Sequence, residues 1–127
     1  MQQQYQMQAA IVRKLEDIAV RHNVLIICEV QEKRECAEQR HVDAINLIAE
    51  SSDFARAATH VVRLLKTPKL NYLTEAQMVC SRFTESGWSF PVYTALNDMY
   101  IKEAPMDEMD KINSMWQQAA KEKKGKF

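Results

Sequence analysis

Glycine is almost missing from this chain: only Gly87 and Gly125 occur among 127 residues. Neither a glycine-rich phosphate loop nor a dinucleotide-binding fingerprint can be written with so few. A backbone loop of this chain alone is therefore not expected to cradle a nucleotide's phosphates. Cysteine is scarce as well. Cys28, Cys36 and Cys80 are odd in number, irregularly spaced and without a C-x-x-C pair, which suits reduced thiols better than a disulfide framework. A zinc site from Cys28, Cys36 and His41 is the competing use of two of them, but the spacing does not single it out, and no metal site is expected. Net charge is lacking too. Seventeen basic and seventeen acidic side chains cancel, so no overall field draws the chain to nucleic acid or an anionic membrane, and any such contact must come from a local patch. The longest apolar run, residues 24–28 (VLIIC), is far short of the roughly 20 residues of a membrane span, and the Gln-rich start lacks a signal peptide's apolar stretch. The expectation is a soluble, cytoplasmic chain with no membrane partner.

What is present describes a folded protein. Hydrophobic residues make up 46% and charged residues 27%, a globular balance at a length suited to one domain. Met7, Ile11, Leu15 and Ile18 fall at helical intervals and predict an amphipathic helix over residues 5–21, stopped by Asn23. The run at 24–28 is rich in β-branched residues and reads as a strand buried on both faces, central in a sheet. Residues 29–40 are polar and charged, a loop or solvated turn. Helical spacing returns over 42–49, and Asp53 stands where it can cap a second short helix through Ala58. Residues 59–65 form another strand, ended by Lys66-Thr67-Pro68, with an exposed connection running on to Leu73. Residues 76–83 and 88–96 make a hairpin about a turn at 84–87, where Gly87 permits positive φ. Tyr100 and Ile101 extend the sheet. Asp107 begins a last helix, on which Met109, Ile112, Met115 and Trp116 share a face, and a tail with four lysines frays over 121–127.

The order of these elements resembles the second half of a RecA-type NTPase core, and more specifically that of the ring-shaped replicative helicases of bacteria and phages. Three stretches carry the likeness: residues 11–29 (IVRKLEDIAVRHNVLIICE), 45–65 (INLIAESSDFARAATHVVRLL) and 79–87 (VCSRFTESG). It covers roughly residues 5–103 and implies a partial three-layer α/β sandwich with a mixed sheet, a C-terminal β-hairpin and a terminal helix. The division it implies is a partial core over 1–103, followed by a C-terminal helix and basic tail over 104–127. The family's phosphate loop and magnesium-binding acidic strand have no counterpart in this sequence. The resemblance therefore implies ATP and Mg bound only through a partner chain. Where the family usually has a Gln or His that senses the γ-phosphate, this chain has Glu29, which cannot donate a hydrogen bond when ionised. Where a lysine usually stands two positions before the arginine finger, this chain has Cys80.

The resemblance places Arg82 as the arginine finger, reaching in trans to a nucleotide on a neighbouring subunit. Without it, Arg82 reads as a solvent-facing strand arginine. Glu29 is the second candidate catalytic residue, a carboxylate at a strand end where open α/β sheets place ligands, or else a satisfied polar strand end. Lys33, Arg34 and Arg40 are candidate contacts to single-stranded DNA, although Glu29, Glu32, Glu35 and Glu38 in the same stretch equally describe a solvated surface. His22, His41 and His60 have no mutual spacing that suggests catalysis. The Met109, Met115 and Trp116 face reads as core or subunit contact. Two functions follow. In the first, the chain is the C-terminal portion of a helicase or DNA-dependent ATPase, supplying arginine finger, DNA-facing loop and interface to a partner with the phosphate loop. In the second it is a non-catalytic binding or regulatory module that docks on a helicase or recombinase, or on itself. Either way an oligomer is expected, because a half-core exposes a sheet edge and the surface its other half would cover.

Overall fold

A computed structural model describes residues 2–48, 53–95 and 97–124. Helix α1 spans Gln2–His22, α2 Ala44–Leu47 and α3 Asp53–Ala57; strands β1 to β4 span His60–Thr67, Leu70–Ser81, Ser89–Ala95 and Tyr100–Glu103; helix α4 spans Glu108–Lys124. The chain gathers into two compact units. The first takes residues up to Val61 together with Cys80–Phe83, and the second takes Val62–Val79 together with Thr84 onward.

The second unit holds the sheet. Its strands lie in the order β1-β2-β3-β4, each beside its neighbour in sequence. Pro68 and Lys69 alone connect β1 to β2, with Lys69 left-handed at φ 65°, the pattern of a turn with proline first and a positive-φ residue second. The exposed connection expected before Leu73 is thus replaced by a tight hairpin, and Leu73 is fully buried. The β2–β3 hairpin is present as expected. It is antiparallel, with Leu73 opposite Tyr93 and Gln77 opposite Ser89, and it closes through Met78 N–H to Trp88 O (2.9 Å) and Gly87 N–H to Met78 O (2.8 Å). Gly87 has φ 88°, a conformation that other residues adopt only at a penalty. The indole Nε1 of Trp88 donates to Glu85 O at 2.9 Å and braces that turn. Strand β4 pairs antiparallel to β3, from Val92 opposite Glu103 to Ala95 opposite Tyr100, so Tyr100 and Ile101 do extend the sheet.

Helix α4 lies against β3 and carries the expected face. Ile112 is fully buried with Leu73 and Ala104, and Leu70, Tyr93, Met109 and Trp116 pack around them. Burying two side chains the size of Leu73 and Ile112 contributes about 2 to 3 kcal/mol each. Within the sheet, the Ser89 hydroxyl donates to the buried Glu75 carboxylate at 2.8 Å, and the Thr74 and Thr94 hydroxyls meet at 3.1 Å. The β1–β2 turn is tied to the end of α4 by a short Lys69–Glu122 ion pair. At the start of α4, the hydrogen bond that the Lys111 ammonium donates to Glu108 Oε1 at 3.1 Å, and that carboxylate's charge, raise the Lys111 pKa above its ordinary value. Tyr93 is raised as well, first by desolvation and then by Glu108.

Two expectations are corrected here. Residues 24–28 are not a buried central strand: they are extended but belong to no ladder among the described residues, and Leu25 and Ile27 are 85% and 86% exposed. Apolarity and β-branching favour extension, but a strand is buried only when another strand pairs with it. The four-stranded sheet is correspondingly antiparallel rather than mixed. The mixed α and β composition, the hairpin and the terminal helix stand as expected. Ala49, Leu96 and the tail beyond Lys124 lie outside the described residues.

Candidate functional site

The first unit is built on α1. Gln, Ala, Leu, Glu, Lys and Arg are strong helix formers and dominate its sequence. Asn23 ends it in the left-handed region at φ 51°, while Val24 N–H reaches back to Ala19 O at 3.1 Å, a C-terminal cap. The stripe that buries α1 differs from the expected one. Met7, Ile11 and Ile18 are exposed, and Val12 is the buried residue. Helix α3 packs on α1 and buries Ala55. Small side chains there allow close approach of the two helices. The larger Met7–Ile11–Ile18 stripe is left to solvent.

Beyond that contact, α1 and α3 share a cleft with the end of β2. Arg13 and Glu16 come from α1, Asp53 and Arg56 from α3, and Arg82 from the segment that follows β2. Ala9, Val12 and Ala57 form its apolar lining, and its volume is about 190 Å³. Arg82 is held in place by its backbone, whose N–H donates to Thr59 O at 3.0 Å. Its side chain is exposed. Among the described residues none of the three guanidiniums is taken up by an ion pair. With two carboxylates against three guanidiniums, the lining carries one net positive charge.

The other expected residues are not gathered here. Glu29 is exposed on the extended segment after α1 and is not in the cleft lining. Lys33 is half-buried, and its backbone N–H donates to Leu47 O at 2.8 Å. Arg34 opens a short 3-10 turn, Arg34–Cys36, and is exposed. Arg40 is half-buried and already engaged with neighbouring groups. The charged stretch is more ordered than a free loop: Glu32 bridges to Ile48, and Cys36 is buried with its thiol 3.6 Å from Asn46 O. Cys28, in contrast, is exposed. No group of three or more His, Cys, Asp or Glu among the described residues is arranged to hold a metal ion. Asp53 is the first residue of α3.

Sequence reasoning missed Arg13 and Arg56. The usable signal was the spacing of Ala9, Val12, Arg13 and Glu16, which is the i, i+3, i+4, i+7 pattern of one helical stripe. It was outweighed by the larger apolar side chains of the neighbouring stripe. Set against known protein families, characterised proteins and solved structures, the chain matches none of them. Among the described residues no helix is long and apolar enough to cross a membrane.

Proposed function

We propose that this chain is the arginine-finger portion of a RecA-like DNA helicase or DNA-dependent ATPase, completed by a partner chain that brings the phosphate loop and, with it, ATP and Mg. The observation that carries the reading is the exposed apolar run at 24–28. It is extended, strand-like in composition and unladdered among the described residues, with Leu25 and Ile27 turned to solvent. Covering side chains of this size is worth about 1.5 to 3 kcal/mol each, and a sheet edge on another polypeptide supplies both that cover and the backbone hydrogen bonds. In the completed core the run enters the partner's sheet as a parallel strand, and the assembled sheet becomes mixed. Arg82 then faces the partner's nucleotide, where a planar, permanently charged fork neutralises charge on the transferring phosphoryl group. Lys33, Arg34 and Arg40 face single-stranded DNA.

The test is ATP turnover by the chain mixed with a candidate partner carrying G-x-x-x-x-G-K-[ST], compared with either alone. Turnover that appears only in the mixture, with co-elution on sizing chromatography, is the expected result. A second reading is favoured by Glu29, an exposed carboxylate where the family has a neutral donor. On that reading the chain is a docking module without catalysis, and it co-elutes with a partner or with itself while turnover stays unchanged.

A further inference from the structure

We infer that Arg13, Arg56 and Arg82 together form an oligophosphate-binding site that works within this chain, before any partner is present. The inference deepens the proposed role of Arg82 and shares that residue with it. It adds two arginines that the resemblance does not assign, and a ligand for the chain alone. Three arginines from three separate pieces of backbone (α1, α3 and the segment after β2) line one cleft. Like charges brought together repel, and among the described residues none of the three is neutralised by an ion pair. A polyanion relieves that repulsion, and guanidinium forks bind phosphate oxygens bidentately.

Size narrows the ligand. At about 190 Å³ the cleft is below the roughly 300 to 1,000 Å³ of pockets that enclose a whole drug-sized molecule. It accommodates a di- or triphosphate group and leaves a nucleoside outside. The apolar Ala9, Val12 and Ala57 lining offers no hydrogen bonds to a base or sugar. Glu16 and Asp53 in the same lining reduce the net attraction, so binding is moderate and strongly weakened by salt.

The experiment is calorimetric titration of the full chain with sodium tripolyphosphate at low ionic strength, repeated with ATP and with a short oligothymidylate. Arg13→Ala and Arg56→Ala are each expected to weaken tripolyphosphate binding about tenfold, as Arg82→Ala does, which corresponds to one charge-assisted contact apiece. Glu16→Gln is expected to tighten it several-fold, a gain that unfolding cannot produce. Circular dichroism of each variant confirms that the helices remain. Equal affinity for tripolyphosphate and ATP shows that the phosphates alone are read, and weaker ATP binding assigns the ligand to free polyphosphate; both support the site, whereas clearly tighter ATP binding overturns it, because it requires contacts to the nucleoside. The inference is overturned if the folded Arg13 and Arg56 variants bind as the parent does, if the parent shows no heat of binding, or if oligothymidylate binds more tightly than tripolyphosphate. Loss of ATP turnover by Arg82→Ala in an assembled complex tests the helicase reading separately, because it requires the partner and this titration does not.

Discussion

The two units of this chain meet the demands of backbone pairing in different ways. In the second, each strand pairs with its sequence neighbour, α4 lies along β3, and Leu73 and Ile112 are withdrawn completely from water. In the first, α1, two short helices and an extended stretch bury Val12, Leu47, Ile48 and Ala55 but leave Met7, Ile11, Leu25 and Ile27 outside. A meander with a helix on it pairs most of its backbone locally, although Leu64, Met99 and Ile101 of the second unit also remain exposed. An extended apolar run has no such local solution, since its hydrogen bonds and its cover both come from another strand. The functional candidates lie on the less satisfied side: the three arginines of the cleft, Glu29 and the charged stretch all belong to the first unit.

That contrast can be broken at several points, and the largest expected effect is on activity. In an assembled complex, Arg82→Ala is expected to lower ATP turnover by about a thousandfold or more. The isolated variant's unfolding free energy should stay within about 0.5 kcal/mol of the parent, because the side chain is exposed. Unchanged turnover would remove Arg82 from the reaction.

Core truncation comes next. Ile112→Ala or Leu73→Ala should destabilise the chain by about 2 to 5 kcal/mol in urea titrations, by lost transfer energy plus the cavity left behind. Leu25→Ala and Ile27→Ala, in contrast, are expected to stay within about 0.5 kcal/mol in the isolated chain while weakening co-elution with a partner. If the Leu25 variant lost as much stability as the Ile112 variant, the run would already be buried in solution and the two units would not differ as described.

A smaller effect isolates the hairpin. At Gly87 a Cβ would meet nothing within 4 Å, so the penalty of Gly87→Ala comes from its positive φ alone and is about 1 kcal/mol. A denaturant midpoint unchanged by that substitution would show that the turn relaxes to another conformation.

The gentlest test is pH. Lys111 and Tyr93 both have folded-state pKa values raised above their ordinary 10.5 and 10.0, so the folded chain holds these protons more tightly than the unfolded one. The stability they confer is therefore fully present below about pH 10 and is lost as pH climbs through the raised values. Denaturation midpoints followed from about pH 8 to about pH 11 should fall at the alkaline end. They should fall less in Glu108→Gln, which removes the carboxylate that raises Lys111 most and contributes to Tyr93. The exposed Lys69–Glu122 pair is expected to matter least, with Lys69→Ala costing under about 1 kcal/mol.

Legibility followed the range of the interactions involved. The β2–β3 hairpin could be read because its turn chemistry is local, with Gly87 between two extended runs. The core face of α4 could be read because Met109, Ile112 and Trp116 repeat at helical spacing over a single helix. The β1–β2 turn is not legible in the same way, because Pro68 fits the end of a strand as well as the first residue of a two-residue turn. Arg82 was singled out through the resemblance, and the structure adds its backbone tie to Thr59 and its two arginine neighbours. Arg13 and Arg56 stand 43 positions apart in sequence, and no local pattern connects them.

By itself, the order of residues determined the β2–β3 turn, the two long helices at either end, and that its own backbone cannot wrap a phosphate, since these depend on neighbours a few positions apart and on the shortage of glycine. Only the tertiary structure decided which apolar stripe of α1 is covered, that residues 24–28 stand exposed, and that three distant arginines share a cleft. Burial and charge clustering are properties of surfaces brought together from far along the chain, and helical or strand periodicity carries no record of what lies opposite.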